Sequence, residues 1–204
     1  MNDVDPAEQL PHHRRTVVTE IADAEDGLIT VTGRLRDERP WAVDELDLPL
    51  VHDIELSLTV SPLDFVVRAV RVQFHAYPHA ECVDIAAAHQ ALVGLTVGRG
   101  WNTAIRERLG GPAGCTHLRE LARAMAPALL QGAFSARVRV NPRRGQEDPV
   151  ARAMLPLIAD TCHVWAVGGV ADQKLVAGWR PGTTTTPVPP LAEYGVPGAA
   201  GDGE

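Results

Sequence analysis

Four runs of alternating apolar and polar residues fill the first third of the chain, and this period of two restricts the folds open to it more than any other feature. The runs "TVVTEI" (16–21) and "LITVTGRL" (28–35) put apolar side chains on one face and polar ones on the other. Between them, "ADAEDG" closes on Asp-Gly, a strong hairpin turn signal. "HDIELSLTV" (52–60) and "FVVRAVRVQF" (65–74) follow, joined by a short turn at Ser61-Pro62-Leu63-Asp64. The stretch "DERPWAVDELDLPL" (37–50), with two prolines and five acids, reads as a loop between the two pairs. Short connections join antiparallel neighbours, so the expectation is an antiparallel β-meander of about four strands.

After Phe74 the period becomes helical. "AECVDIAAAHQALVG" (80–94) ends on a glycine suited to a helix C-terminus, and "GWNTAIRERLGG" (100–111) spaces Trp101, Ile105 and Leu109 along one helical face. "THLRELARAMAPALLQGAF" (116–134) is a longer helix, interrupted or kinked near Pro127. "NPRRGQEDP" (141–149) is an exposed loop, "VARAMLPLIADTCHVW" (150–165) a further helix, and "VWAVGGVADQKLVAGW" (164–179) a hairpin turning at its Gly-Gly. Strands followed by helices predict an α+β domain with the helices packed on one face of the sheet. The expected organisation is a flexible N-terminus (1–13), a single α+β domain (14–180) and a disordered Pro/Gly/Thr-rich tail (181–204).

The formal net charge is −7, which speaks against a general binder of nucleic acid or anionic membrane, since both need clustered positive charge. The basic residues are nearly all arginine, with Lys174 the single lysine, as GC-rich bacterial coding produces. No run of about 18 apolar residues is present to span a bilayer, and "MNDVDPAEQL" lacks the basic-then-apolar pattern of a signal peptide. A cytoplasmic location is therefore expected, where Cys82, Cys115 and Cys162 stand as thiols or ligands.

Each of those cysteines has a histidine within three positions: His79 before Cys82, His117 after Cys115, His163 after Cys162. Thiolate and imidazole are the donors zinc and iron prefer. The candidates lie where loops meet regular elements: His52-Asp53 at a strand entry, Cys82 between sheet and helix, and Cys115 and His117 at a helix start after glycines. Such junctions let ligands from distant sequence converge at one end of a sheet. A helix N-terminus also favours the thiolate of Cys115, which suits a metal ligand and a nucleophile equally. His12 and His13, beside Arg14 and Arg15, read as solvated. No C-x2-C knuckle, phosphate loop or G-x-S-x-G elbow occurs, so a metal site would have to be assembled by the fold.

The motifs "RRT", "EDGLITVTGRLRD", "HDIELSLTV", "GW…IRERLGG…GCTHLREL" and a late "DTCH" cover most of residues 14–165, and "LGG-x-x-GCTHL" is the specific part. On these motifs the chain resembles an uncharacterised bacterial family, domain of unknown function 2889, which implies no particular activity. In the order of its elements it is also similar, more distantly, to iron–sulfur scaffold proteins of the NifU/IscU type, in which a meander precedes helices. That resemblance implies Asp53, Cys82 and Cys115 as ligands, His52 in the place of a cysteine, and His117 as a further donor. The missing first thiolate shifts the implied cofactor from an iron–sulfur cluster toward zinc or mononuclear iron. The expected function is a metal-binding scaffold, carrier or accessory protein that serves a metal- or cluster-receiving partner. The alternative is an enzyme that uses the same residues, through a metal-activated water or a Cys115 nucleophile.

Overall fold

The computed structural model describes residues 10–140, 145–184 and 186–195. Most of the expected flexible start, the tip of the loop at 141–144 and the end of the expected tail lie outside the described residues. Its contacts group the chain into two units, residues 1–133 and 134–204, with the boundary inside a long helix.

The first unit contains the sheet. Strands β1 (Arg14–Asp23), β2 (Ile29–Glu38), β3 (Leu50–Val60) and β4 (Val67–Ala76) pair antiparallel in sequence order. This is the expected meander, and with the helices that follow it gives an α+β fold. The loop between β2 and β3 is shorter than the prolines and acids suggest, because β2 continues through Asp37 to Glu38 and β3 begins at Leu50. Ile29, Val31 and Leu35 of β2 share a buried face with Ile54, Leu56, Leu58 and Val60 of β3, as a period of two requires.

Helix α1 (Trp101–Leu109) is tied to helix α2 (Thr116–Val140), whose N-terminal part lies on that face. Gly33 supplies the notch for α2: a methyl group there would stand 2.9 Å from Met125 Sδ and 3.2 Å from Leu121 Cδ2. Further along, a methyl on Gly132 would come within 2.6 Å of Ile21 Cγ1 on β1, so both elements approach at backbone distance. Trp101 is buried and donates its indole N–H to the Ala122 carbonyl at 2.7 Å, tying α1 to α2. Pro127 sits inside α2 without ending it, leaving the Arg123 carbonyl without its helical N–H partner. The helix also runs beyond the expected end, to Val140.

The segment Ala80–Leu92 is helical with a tighter period than expected, a succession of 3-10 turns. His89 and Leu92, three residues apart, are its fully buried side chains. His89 donates from Nδ1 to the Ile85 carbonyl at 3.1 Å, while its Nε2 is buried without a partner. Burial holds this imidazole below its ordinary value; the Ile85 carbonyl opposes that and the nearby Arg119 charge adds to it. His89 therefore stays neutral in the fold and charges more readily once unfolded. Its stabilising contribution is present above the unfolded pKa of about 6.5 and is lost as pH falls below it, by up to about 1.4 kcal/mol per pH unit. Denaturant unfolding from about pH 7.5 to about pH 5 should show this loss, and His89→Gln should flatten part of it. An identical slope in the variant would mean that His89 takes up its proton alike in the folded and unfolded chain.

The second unit holds the end of α2, then α3 (Pro149–Ile158) and α4 (Val170–Val176). Helix α3 stops well short of residue 165. Asp160 takes a left-handed conformation (φ 58°) and its carboxylate accepts from Val167 N at 2.9 Å, turning the chain away. The hairpin expected over 164–179 is replaced by α4, whose Asp172 reaches back from the first turn to accept the Gly168 N–H at 2.8 Å and ties the helix to the turn before it. Within the stretch expected as a tail, Leu191–Tyr194 form a 3-10 turn and Leu191 is buried.

Candidate metal centre

Strand pairing sets Arg15 opposite Asp37, and Asp37 opposite His52. The three form one row across β1, β2 and β3 at the end of the sheet. In β3, His52 shares the parity of Ile54, Leu56 and Leu58, so it points to the helix-covered face. Helix α2 begins beside this row, and His117 in its first turn completes the group. One ligand atom from each of Asp37, His52 and His117 lies within 4.8 Å of the other two, the one such cluster among the described residues. The two imidazole rings are 4.0 Å apart at 39°.

Asp37 is the centre of the arrangement and is almost fully buried. Its Oδ1 accepts from Arg15 Nε at 2.7 Å and His13 Nε2 at 3.0 Å. Its Oδ2 accepts from Arg15 Nη2 at 2.7 Å and His52 Nδ1 at 3.0 Å, and His117 Nε2 stands 3.8 Å away. Burial pushes this carboxyl up, but the Arg15 hydrogen bonds and charge, with His13 and His52, outweigh it and hold the group at about 2. Arg15 also reaches Glu120 of α2 at 2.6 Å, linking the strand to the helix beside the site. Burial lowers His117 from its ordinary value; His52 and Arg15 lower it further, against Asp37 and Glu120. At neutral pH His117 is a neutral imidazole with a lone pair to give.

The glycine-rich turn before α2 places Cys115. A side chain on Gly114 would collide with the Leu109 carbonyl, so only glycine allows the chain to turn back so closely after α1. Cys115 then accepts the first helical bond, from Arg119 N to its carbonyl at 3.0 Å, and its sulfur lies 3.7 Å from His117 Nδ1.

Of the five residues expected at the site, the fold brings His52 and His117 together, with Cys115 against the outer edge of the His117 ring. Asp53 is placed elsewhere. It has the parity of Glu55 and Ser57, so it faces the side of the sheet opposite His52, where it is buried and takes Arg34 Nε and Nη2 at 2.6 Å each. Those Arg34 hydrogen bonds hold its carboxyl below the ordinary range against the opposing effect of burial. Cys82 is half-buried in the 3-10 segment and is not part of the cluster. The scaffold-type ligand order of His52, Asp53, Cys82 and Cys115 is therefore not assembled around one point. The carboxylate of the cluster is Asp37, which the sequence places in a loop. Continuing the alternation of Ile29, Val31, Gly33 and Leu35 by one step would have put an acid on the buried face. His13, expected in solvent, is half-exposed and bonded to Asp37. Trp41 holds the preceding residue there, donating to the His12 carbonyl at 2.9 Å.

Among the described residues no helix is long and apolar enough to cross a membrane. No curated protein and no solved structure matches the chain. A family model described as a protein of unknown function (DUF2889) matches residues 13–131, which include His13, Arg15, Asp37, His52, Cys115 and His117. Matched over more than half its length, the chain belongs to the DUF2889 family.

Proposed function

We propose that this protein binds one zinc or ferrous ion through Asp37, His52 and His117 and acts as a metal carrier, scaffold or accessory protein. The observation that carries the reading is the convergence of three donor atoms from β2, β3 and α2 within 4.8 Å. Their separations support it. Two donors each about 2.1 Å from one ion lie about 3.0 to 3.4 Å apart, for right-angled and tetrahedral arrangements respectively. Here His52 Nδ1 stands 3.0 Å from Asp37 Oδ2, to which it donates its proton, and His117 Nε2 stands 3.8 Å from the same oxygen; an ion would take the place of that proton, and small side-chain rotations close the spread. Arg15 and His13 hold the other carboxylate oxygen, the outer support that orients a ligand. Three protein ligands leave coordination positions free, so an ion here could be passed to a recipient protein or exchange water. A reducing, cytoplasmic setting suits the three free thiols.

Purified chain titrated with zinc should bind one equivalent, and His117→Ala should abolish it, while Cys82→Ser and Asp53→Asn leave it intact. Metal-free protein that takes up no zinc, or uptake indifferent to His117, would end this reading. One observation favours a second reading. The line from the Cys115 sulfur through the His117 ring toward Asp37 is the order of a thiol nucleophile, its base and an orienting acid. Selective alkylation of Cys115 that a chelator does not change would support that alternative.

A further inference from the structure

We infer that Cys115 is a positioning residue of this centre and not one of its ligands: its sulfur takes the Nδ1–H of His117 and so turns the Nε2 lone pair toward the ion. The inference rests on the metal-binding reading above and changes the part Cys115 plays in it. A neutral imidazole carries one ring proton, and the partner of each nitrogen decides where it sits. At Nδ1 the partner is the Cys115 sulfur at 3.7 Å, within reach of a hydrogen bond to sulfur. At Nε2 the Asp37 Oδ2 acceptor stands 3.8 Å away, too far for a hydrogen bond. The proton belongs on Nδ1.

Two consequences follow. Nε2 then presents a bare lone pair to the Asp37 carboxylate, which the Arg15 guanidinium holds at 2.7 Å on both oxygens. Two electron-rich atoms then face each other across 3.8 Å, a gap that a cation would bridge, and His52 Nδ1 donates to the same oxygen at 3.0 Å a proton that the cation would displace. The sulfur is also excluded as a ligand to that ion. The two ring nitrogens point outward from different edges of the imidazole, so a group bonded at Nδ1 is turned away from an ion held at Nε2. Outer-shell partners of this kind fix ring orientation and raise the basicity of the ligand.

The test uses the full chain with zinc and cobalt(II). Cys115→Ala should weaken zinc binding by about 10–100-fold, the usual effect of removing such a partner, and Cys115→Ser, whose hydroxyl can also accept from Nδ1, should restore most of it. Cobalt-loaded wild type should lack the sulfur-to-cobalt charge-transfer absorption of a thiolate ligand. Nitrogen NMR of metal-free wild type should find His117 protonated on Nδ1, a readout that needs no variant to fold. A charge-transfer band lost in Cys115→Ala, unchanged zinc affinity in that variant, or a proton found on Nε2 would each overturn the inference while leaving a metal site in place. Failure of wild type to bind either metal would remove the metal reading and this inference with it.

Discussion

Asp37→Ala is expected to abolish zinc binding and to lower the unfolding free energy by about 2–4 kcal/mol. Both effects come from the same four hydrogen bonds. The carboxylate is the common acceptor for Arg15, His13 and His52, and its removal leaves a guanidinium and two imidazoles at the end of the core without their shared anion. Breaking a buried pair by removing one partner costs about 3–5 kcal/mol. The Arg15 side chain is 35% exposed and keeps Glu120, which lowers the expected loss to about 2–4 kcal/mol. Asp53→Ala is the control. It also strips a buried carboxylate from an arginine, but on the opposite side of the sheet, so it should cost stability and leave zinc binding alone. Denaturant unfolding and zinc titration of both variants give the comparison. Equal metal affinity in Asp37→Ala and wild type would show that the ion, if bound, sits elsewhere.

Trp101→Ala should cost about 3–5 kcal/mol, the range for deleting a buried aromatic. The indole is 2% exposed, and it carries the hydrogen bond from α1 to the Ala122 carbonyl in the middle of the buried face of α2. Trp101→Phe keeps most of the apolar volume and loses the N–H, so its cost should be nearer 1–2 kcal/mol, one unmade hydrogen bond plus a small cavity. The difference between the two variants, read from urea unfolding, separates packing from hydrogen bonding. A loss below about 1 kcal/mol for the alanine variant would mean that α1 does not anchor α2.

Local patterning reaches far into this fold. Alternation in residues 16–21, 28–35, 52–60 and 65–74 is enough to predict four strands, and Asp-Gly and Ser-Pro-Leu-Asp are enough to join them as hairpins. The misreadings fall where a local signal has two solutions. Val170–Val176 could close a hairpin or form a helix; the structure has the helix, with Asp172 bonded back to Gly168. Residues 80–92 show a helical period, but the choice between α and 3-10 rests on how His89 and Leu92 pack.

The site divides in the same way. Parity within one strand already separates His52 from Asp53, since neighbours in a strand face opposite sides, and it assigns Asp37 to the side of Leu35. Sequence alone thus determines which residues face the core and that a glycine turn carries Cys115 and His117 into a helix. Tertiary structure alone decides which of them meet. Register, a relation between strands that no single strand contains, aligns Arg15, Asp37 and His52 in one row. The bare backbone of Gly33 lets Leu121 and Met125 settle on the sheet, and this packing sets the first turn of α2 over that row.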